Sequence, residues 1–216
     1  MESTKIQISL DKINANTGKT PNEKFQFHSK TFGPLFSGTQ LDENGNNVAW
    51  VAQNKDYTCD SKEQFYIIKT GAFTFGNEEF KIKSVRHNSF LQMDERTDGQ
   101  DYYVTLSPIE TGQRNQSWYL VNVDNTTEFK IMNMKFNGPM FCGSGTDDWG
   151  DHWAWIEPNF LYENNGKERW FISMIGNTEK EVATTELGDH LGSITLTSKT
   201  VAQTQNVKKI NLLNLF

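Results

Sequence analysis

In the stretch Phe80 to Val123 four short apolar runs, FKI, FLQM, YVTL and WYLV, alternate with polar, turn-forming segments. This is the pattern of β-strands joined by surface hairpins. The neighbouring segments repeat it imperfectly. Phe25-Gln-Phe-His-Ser, Phe80-Lys-Ile-Lys-Ser and Phe129-Lys-Ile-Met-Asn open three units, offset by 55 and 49 residues, and a fixed period of this size is the mark of a repeat architecture.

Three further anchors follow each opening Phe in the same order. The second is Phe36, Leu91 and Met140, about 11 residues on; FGPLFSG in the first unit and NGPMFCG in the third are nearly the same text, shifted by one residue. The third anchor is VAWVAQN from Val48, YVTLSPI from Tyr103 and WAWIEPN from Trp153. The fourth carries Phe65, Trp118 and Trp170, separated by 53 and 52 residues. Three units of four strands predict twelve strands in an all-β fold. A single unit cannot bury its own apolar face, so the three must close on one another. Three copies about a pseudo-threefold axis make a β-trefoil over residues 23–176, with repeats at about 23–76, 77–126 and 127–176. A β-propeller needs more blades.

Residues 1–22 form an N-terminal extension in which Lys5-Ile-Gln-Ile-Ser-Leu10 alternates as a half-buried strand. Residues 177–216 form a C-terminal β extension. GSITLTSK reads as a strand, and the tail ends in Ile210, Leu212, Leu213, Leu215 and Phe216. So apolar an end is expected to pack on the trefoil or to make a homodimer contact.

Composition narrows the function. The chain has 216 residues and a net charge of -6, and its Lys and Arg are scattered. That argues against nonspecific nucleic-acid binding and against anionic membranes, and no apolar run is long enough to span a bilayer. Membrane insertion is not expected. The N-terminus MESTKIQISLDK lacks an apolar signal region, so the expectation is a cytoplasmic protein, or one released without a signal peptide. Cys59 and Cys142 sit in different parts of different repeats and predict no disulfide framework.

Along the third strand of each unit the consistently apolar set is Ala49 and Val51, Val104 and Leu106, Ala154 and Ile156, which predicts a core-facing side. Trp50 and Trp155 then face outward, with Trp153 beside them, as platforms for the C–H face of a sugar. The loop Thr146-Asp-Asp-Trp-Gly-Asp-His-Trp-Ala-Trp155 is the densest chemical cluster. In it Asp148, Trp149 and Asp151 combine acceptors with an aromatic, a mixture suited to polar ligands. Its Asp spacing matches no Ca²⁺ loop, and no metal or cofactor is expected. His28, His87, His152 and His190 form no local constellation, and no catalytic motif is present; an enzyme is not expected.

Asn115-Gln-Ser-Trp118 has the form of the QxW signature of ricin-type lectin repeats, with the preceding Asn in place. With the threefold repeat it makes the chain resemble a diverged β-trefoil lectin of the ricin-B-like superfamily. The resemblance implies a carbohydrate-binding protein with a glycan or glycoprotein as partner. It also implies that Gln116 and Trp118 are structural, that Asn115 contacts sugar, and that His87 or Asn88 supplies a second polar contact. The chain departs from the family at the third-strand aromatic, where it has Ala52, Ser107 and Glu157, and at the other two QxW positions, which read Glu63-Gln-Phe65 and Glu168-Arg-Trp170. Trefoils also serve as protease inhibitors and as toxin or targeting components, and the Gly-Pro punctuated FGPLFSG and NGPMFCG loops suit an inhibitor that inserts a protruding apolar tip.

Overall fold

The apolar runs identified above within residues 23–175 are extended segments in the computed structural model, which describes residues 23–58, 60–123, 126–158, 163 and 165–175. The twelve strands are β1 (Lys24–Ser29), β2 (Leu35–Leu41), β3 (Asn47–Val51), β4 (Phe65–Thr74), β5 (Asn77–Ser84), β6 (Phe90–Thr97), β7 (Tyr102–Ser107), β8 (Trp118–Asn122), β9 (Phe129–Asn133), β10 (Gly138–Thr146), β11 (His152–Ile156) and β12 (Trp170–Ile175). All belong to one sheet, and every pairing is antiparallel. Among the described residues a single 3₁₀ turn, Arg114–Gln116, precedes β8. The described residues are thus all-β.

Three hairpins share one register. β2 and β3 pair Leu35 with Val51, β6 and β7 pair Leu91 with Leu106, and β10 and β11 pair Met140 with Ile156. Each then slips by the same step, after Ser37, Met93 and Cys142, and resumes at Leu41 with Asn47, Thr97 with Tyr102, and Thr146 with His152. Each tip is closed by an aspartate whose Oδ1 accepts two backbone N–H groups: Asp42 from Asn44 and Asn46, Asp98 from Gln100 and Asp101, Asp147 from Trp149 and Asp151. Such Asx closures satisfy amides that the turn leaves unpaired.

The register corrects one sequence assignment. Leu35, and not Phe36, is the counterpart of Leu91 and Met140, because the first unit is one residue shorter between its opening Phe and β2. Leu35 and Met140 are fully buried, so the FGPLFSG and NGPMFCG segments present no apolar tip. Gly33 and Gly138 hold these segments flat on the barrel: a Cβ at Gly33 would stand 2.1 Å from the Asn54 carbonyl oxygen, and one at Gly138 1.7 Å from that of Glu157.

The core is built from the inward residues of all three hairpins and of the fourth strands. Ala49, Val51, Val104, Leu106, Ala154 and Ile156 all lie in it, as their alternation requires. Phe65, Trp118 and Trp170 start β4, β8 and β12 and are fully buried. A buried indole N–H needs an acceptor, and Trp118 Nε1 donates to the Leu91 carbonyl at 3.0 Å while Trp170 Nε1 donates to that of Met140 at 2.9 Å. Cys142 also lies here, and burial pushes its thiol up to about 12, so it is inert.

The β4–β5 hairpin departs from the others. Phe75 and Gly76 occupy its turn with φ of 52° and 77°, a left-handed pair that Asn-Gly fills at far lower cost than Phe-Gly. Phe75 is also 73% exposed, so burial offsets little of this strain. Phe75→Asn is expected to raise the thermal midpoint by roughly 2–4 °C, measured by scanning calorimetry.

The expected strand at Lys5–Leu10, the C-terminal β extension, and the packing or dimer contact of residues 177–216 lie outside the described residues.

Candidate functional site

The three third strands pair with one another in a closed cycle. Trp50 of β3 lies opposite Trp153 of β11, Trp155 of β11 opposite Tyr103 of β7, and Thr105 of β7 opposite Val48 of β3. Two of these three junctions are aromatic. The Trp50 and Trp153 ring centroids are 4.1 Å apart, and those of Trp155 and Tyr103 4.2 Å, with Tyr103 also edge-on to Trp153 at 5.6 Å.

What allows an indole at one position and not at another is the facing strand. A Cβ at Gly38 would stand 2.8 Å from the Trp50 ring, and one at Gly143 2.4 Å from the Trp155 indole nitrogen. Each Trp therefore packs directly against a glycine two residues beyond its register partner, Phe36 or Phe141. In the second hairpin the register partner is Gln92, and the residue two beyond it is Asp94. There the Trp–Gly pair is replaced by Thr105 and Asp94, with Thr105 Oγ1 donating to Asp94 Oδ2 at 3.5 Å and Gln92 Nε2 donating to Thr105 Oγ1 at 3.3 Å.

With Thr105 opposite Val48, no ring fills the third junction, and a cleft of about 440 Å³ opens there. Val48 and Thr105 line its base, Trp153 and Tyr103 its aromatic side, and Gln40, Leu41, Asp42, Arg96 and Thr97 its polar rim. An aromatic-walled hollow with a few convergent polar groups is the usual form of a small-ligand site. A second hollow of about 130 Å³ beneath the β4–β5 hairpin is lined by Ile67, Phe73, Phe80 and Leu120. Its charged rim residues Lys69 and Glu78 pair with each other at 2.9 Å.

Arg96 organises the polar rim. Its Nη2 donates to Asp42 Oδ2 at 2.5 Å and to Asp94 Oδ2 at 2.8 Å, and Nη1 lies 3.9 Å from Glu43 Oε1. The guanidinium also sits 5.7 Å from the Tyr103 ring centroid. Burial alone would raise the Asp94 carboxyl, but the bonds from the Arg96 side chain and from the Arg96 and Glu95 amides outweigh it and hold Asp94 below the usual carboxylate range. The Asp94 bond in turn holds Arg96 more firmly protonated. The Arg96 Nε–H is buried with no acceptor among the described residues.

The structure divides the residues singled out in the sequence. Trp153 lines the cleft. Trp50 is 5% exposed, covered by Trp153 and by the Gly38 backbone, so it supports Trp153 from behind and offers no open face. Trp155 stands half-buried against Tyr103. Asp148 and Trp149 are exposed at the β10–β11 tip, Trp149 at 85%. Asp151 ties that tip to the first unit by accepting the Gln53 N–H at 3.0 Å, and burial raises its carboxyl. Neighbouring His152 is buried against the Phe32 ring at 3.7 Å, its Nδ1–H donates to the Gly143 carbonyl, and desolvation lowers its pKa.

Asn115 is buried and committed elsewhere: its Nδ2 donates to the Met93 carbonyl, and its Oδ1 accepts from Thr111 Oγ1. Gln116 braces the same turn through the Thr111 amide, the Ile109 carbonyl and Gln92. His87 and Asn88 form the β5–β6 turn, where Asn88 adopts a φ of 56° and its N–H donates to the Ser84 carbonyl. Desolvation lowers the His87 pKa, helped by Arg86 and Lys62. Tyr103, Asp42, Asp94 and Arg96 were not among the residues singled out. Among the described residues no cluster of three His, Cys, Asp or Glu is placed to hold a metal.

A carboxyl pair lies where β7 and β11 meet at Tyr102 and Ile156. Burial, a hydrogen bond to Glu157 and the Glu157 charge push Asp101 up to about 7. A raised folded pKa contributes stability that is fully present below the ordinary value near 3.8 and is lost as pH rises through about 7. Asp101→Asn imitates the protonated form. It is therefore expected to melt roughly 2 °C above the wild type at pH 8, with the difference vanishing towards pH 4, as thermal melts across that range will read.

No protein-family model matches the sequence, and no curated protein sequence matches it. Solved structures do match. ThreeFoil, a designed 3-fold symmetric protein, is 13% identical, with 69% of this chain and 96% of that chain covered at a TM-score of 0.52. The BEL β-trefoil in an apo crystal form is 13% identical, with 76% and 100% covered at 0.52. A Polyporus squamosus lectin bound to the human-type influenza-binding epitope Neu5Aca2-6Galb1-4GlcNAc is 14% identical, with 70% and 49% covered at 0.54. At these identities the likeness shows the fold, which is that of a β-trefoil.

Proposed function

We propose that the protein is a carbohydrate-binding β-trefoil of the lectin kind, built from three pseudo-threefold units, β1–β4, β5–β8 and β9–β12. Its glycan enters the cleft between Trp153, Tyr103 and Arg96. The observation that carries this reading is the broken aromatic cycle. Two junctions between third strands are filled by closely packed, tilted ring pairs, while the third carries Thr105 and Val48 and leaves a ring-walled cleft of sugar size. A pyranose stacks its C–H face on an indole and directs its hydroxyls to fixed polar groups. Here Trp153 and Tyr103 supply the faces, and Gln40, Thr97 and Arg96 the polar groups.

The lectin among the similar structures agrees with a carbohydrate-binding kind of function. Descent from the ricin-B-like superfamily is part of this proposal and rests on Asn115-Gln-Ser-Trp118, whose Gln and Trp have the bracing role the resemblance implies. The site proposed here is not the one implied by Asn115. The role is binding without catalysis, with a glycan or glycoprotein as partner. A glycan array probed with the purified chain at neutral pH tests it: the expected result is selective retention together with a change in tryptophan fluorescence on titration. Folded protein that retains no glycan contradicts it.

A further inference from the structure

We infer that the cleft selects uncharged glycans and rejects their sialylated or sulfated counterparts, an inference that rests on the carbohydrate-binding reading above. Anionic groups are held most strongly by charge-assisted bonds to a cation, and among the described residues the sole cation lining this cleft is Arg96. Its charge is already spent. Nη2 is shared between Asp42 and Asp94, whose side chains are only 3% and 7% exposed, so both carboxylates are shielded from salt and from competing ligands. Glu43, 75% exposed at 3.9 Å from Nη1, adds a third carboxylate beside the guanidinium. Three carboxylates against one guanidinium give the cluster around Arg96 a formal charge of −2.

What remains of Arg96 is a donor without net charge to offer. A guanidinium has five N–H groups; those on Nη2 are committed to the two buried carboxylates and that on Nε is buried, which leaves the two on Nη1 on a side chain 34% exposed. Free donors beside cancelled charge suit the lone pairs of a hydroxyl or ring oxygen. An incoming carboxylate or sulfate would lose water and meet net repulsion with no compensating ion pair.

The experiment compares one neutral glycan retained on the array with the same glycan carrying a terminal sialic acid or a sulfate, by titration against the wild-type chain and Glu43→Lys. Glu43 is 75% exposed, so its replacement is expected to leave the fold intact. The neutral glycan is expected to bind at least about tenfold more tightly to the wild type, a size expected of like charges less than about 10 Å apart near a protein surface. Glu43→Lys is expected to narrow that gap at least about threefold while leaving neutral affinity within about twofold, and 1 M salt is expected to narrow it as well. Equal or tighter binding of the acidic glycan by the wild type overturns the inference. A gap that neither Glu43→Lys nor salt alters also overturns it, by assigning the rejection to shape. Binding of neither glycan overturns the carbohydrate site itself, and this inference with it.

Discussion

Trp118→Ala is expected to destabilise the protein by about 3–5 kcal/mol, lowering the thermal midpoint by roughly 10 °C. The indole is fully buried at the start of β8, within the core cluster shared by all three units. Its removal costs the transfer of a large apolar group together with the cavity left behind. The loss extends to polarity, because the Leu91 carbonyl surrenders the Nε1–H at 3.0 Å in a place water does not reach. Trp118→Phe separates the two contributions: it keeps most of the volume and loses the donor, and Phe65 shows that a phenyl ring is accommodated at the start of β4. The Phe variant is expected to lose about 1–3 kcal/mol. Urea denaturation followed by circular dichroism reads both values, and a loss below about 1 kcal/mol for the Ala variant contradicts this role.

The second large effect concerns the cleft. Asp94→Gly with Thr105→Trp installs in the second hairpin the pairing that the chain already uses twice, an indole lying on a glycine at Trp50 with Gly38 and at Trp155 with Gly143. Thr105→Trp alone would meet the Asp94 side chain, which is why both changes are needed. The new ring is expected to occupy the space against Val48 and to abolish glycan binding, a loss of at least about a hundredfold in affinity. It leaves the strand pairing intact, because Thr105 keeps its backbone register with Gln92 and Val48.

Much of the architecture was legible because repeats are read by comparison and not by propensity. The opening Phe residues, the alternation around Ala49, Val104 and Ala154, and the buried Phe65, Trp118 and Trp170 follow from period and hydrophobicity alone. The one-residue slip that made Phe36 stand for Leu35 came from a short first connection, which a fixed spacing cannot absorb. The site was less legible. Trp50 has the alternation of an outward residue, and it is outward from the core, yet Trp153 of a strand about 100 residues away covers it. Asp42 and Asp94 meet Arg96 only because separate hairpins converge, and nothing local in the chain foretells that. Asn115 was implicated through a family resemblance, whereas its side chain is spent on the Met93 carbonyl and Thr111. One signal of the cleft is present in the sequence: against Trp50 with Gly38 and Trp155 with Gly143, the second unit has Thr105 with Asp94, and the paired exchange marks the open junction.

Isothermal titration of one array-selected glycan into the wild-type chain and into the Asp94→Gly, Thr105→Trp double variant tests the cleft most directly, with circular dichroism and thermal melts confirming that both are folded. Saturable binding by the wild type and none by a folded double variant is the predicted result. Equal affinity in the two proteins would contradict it and move the ligand away from Trp153 and Tyr103.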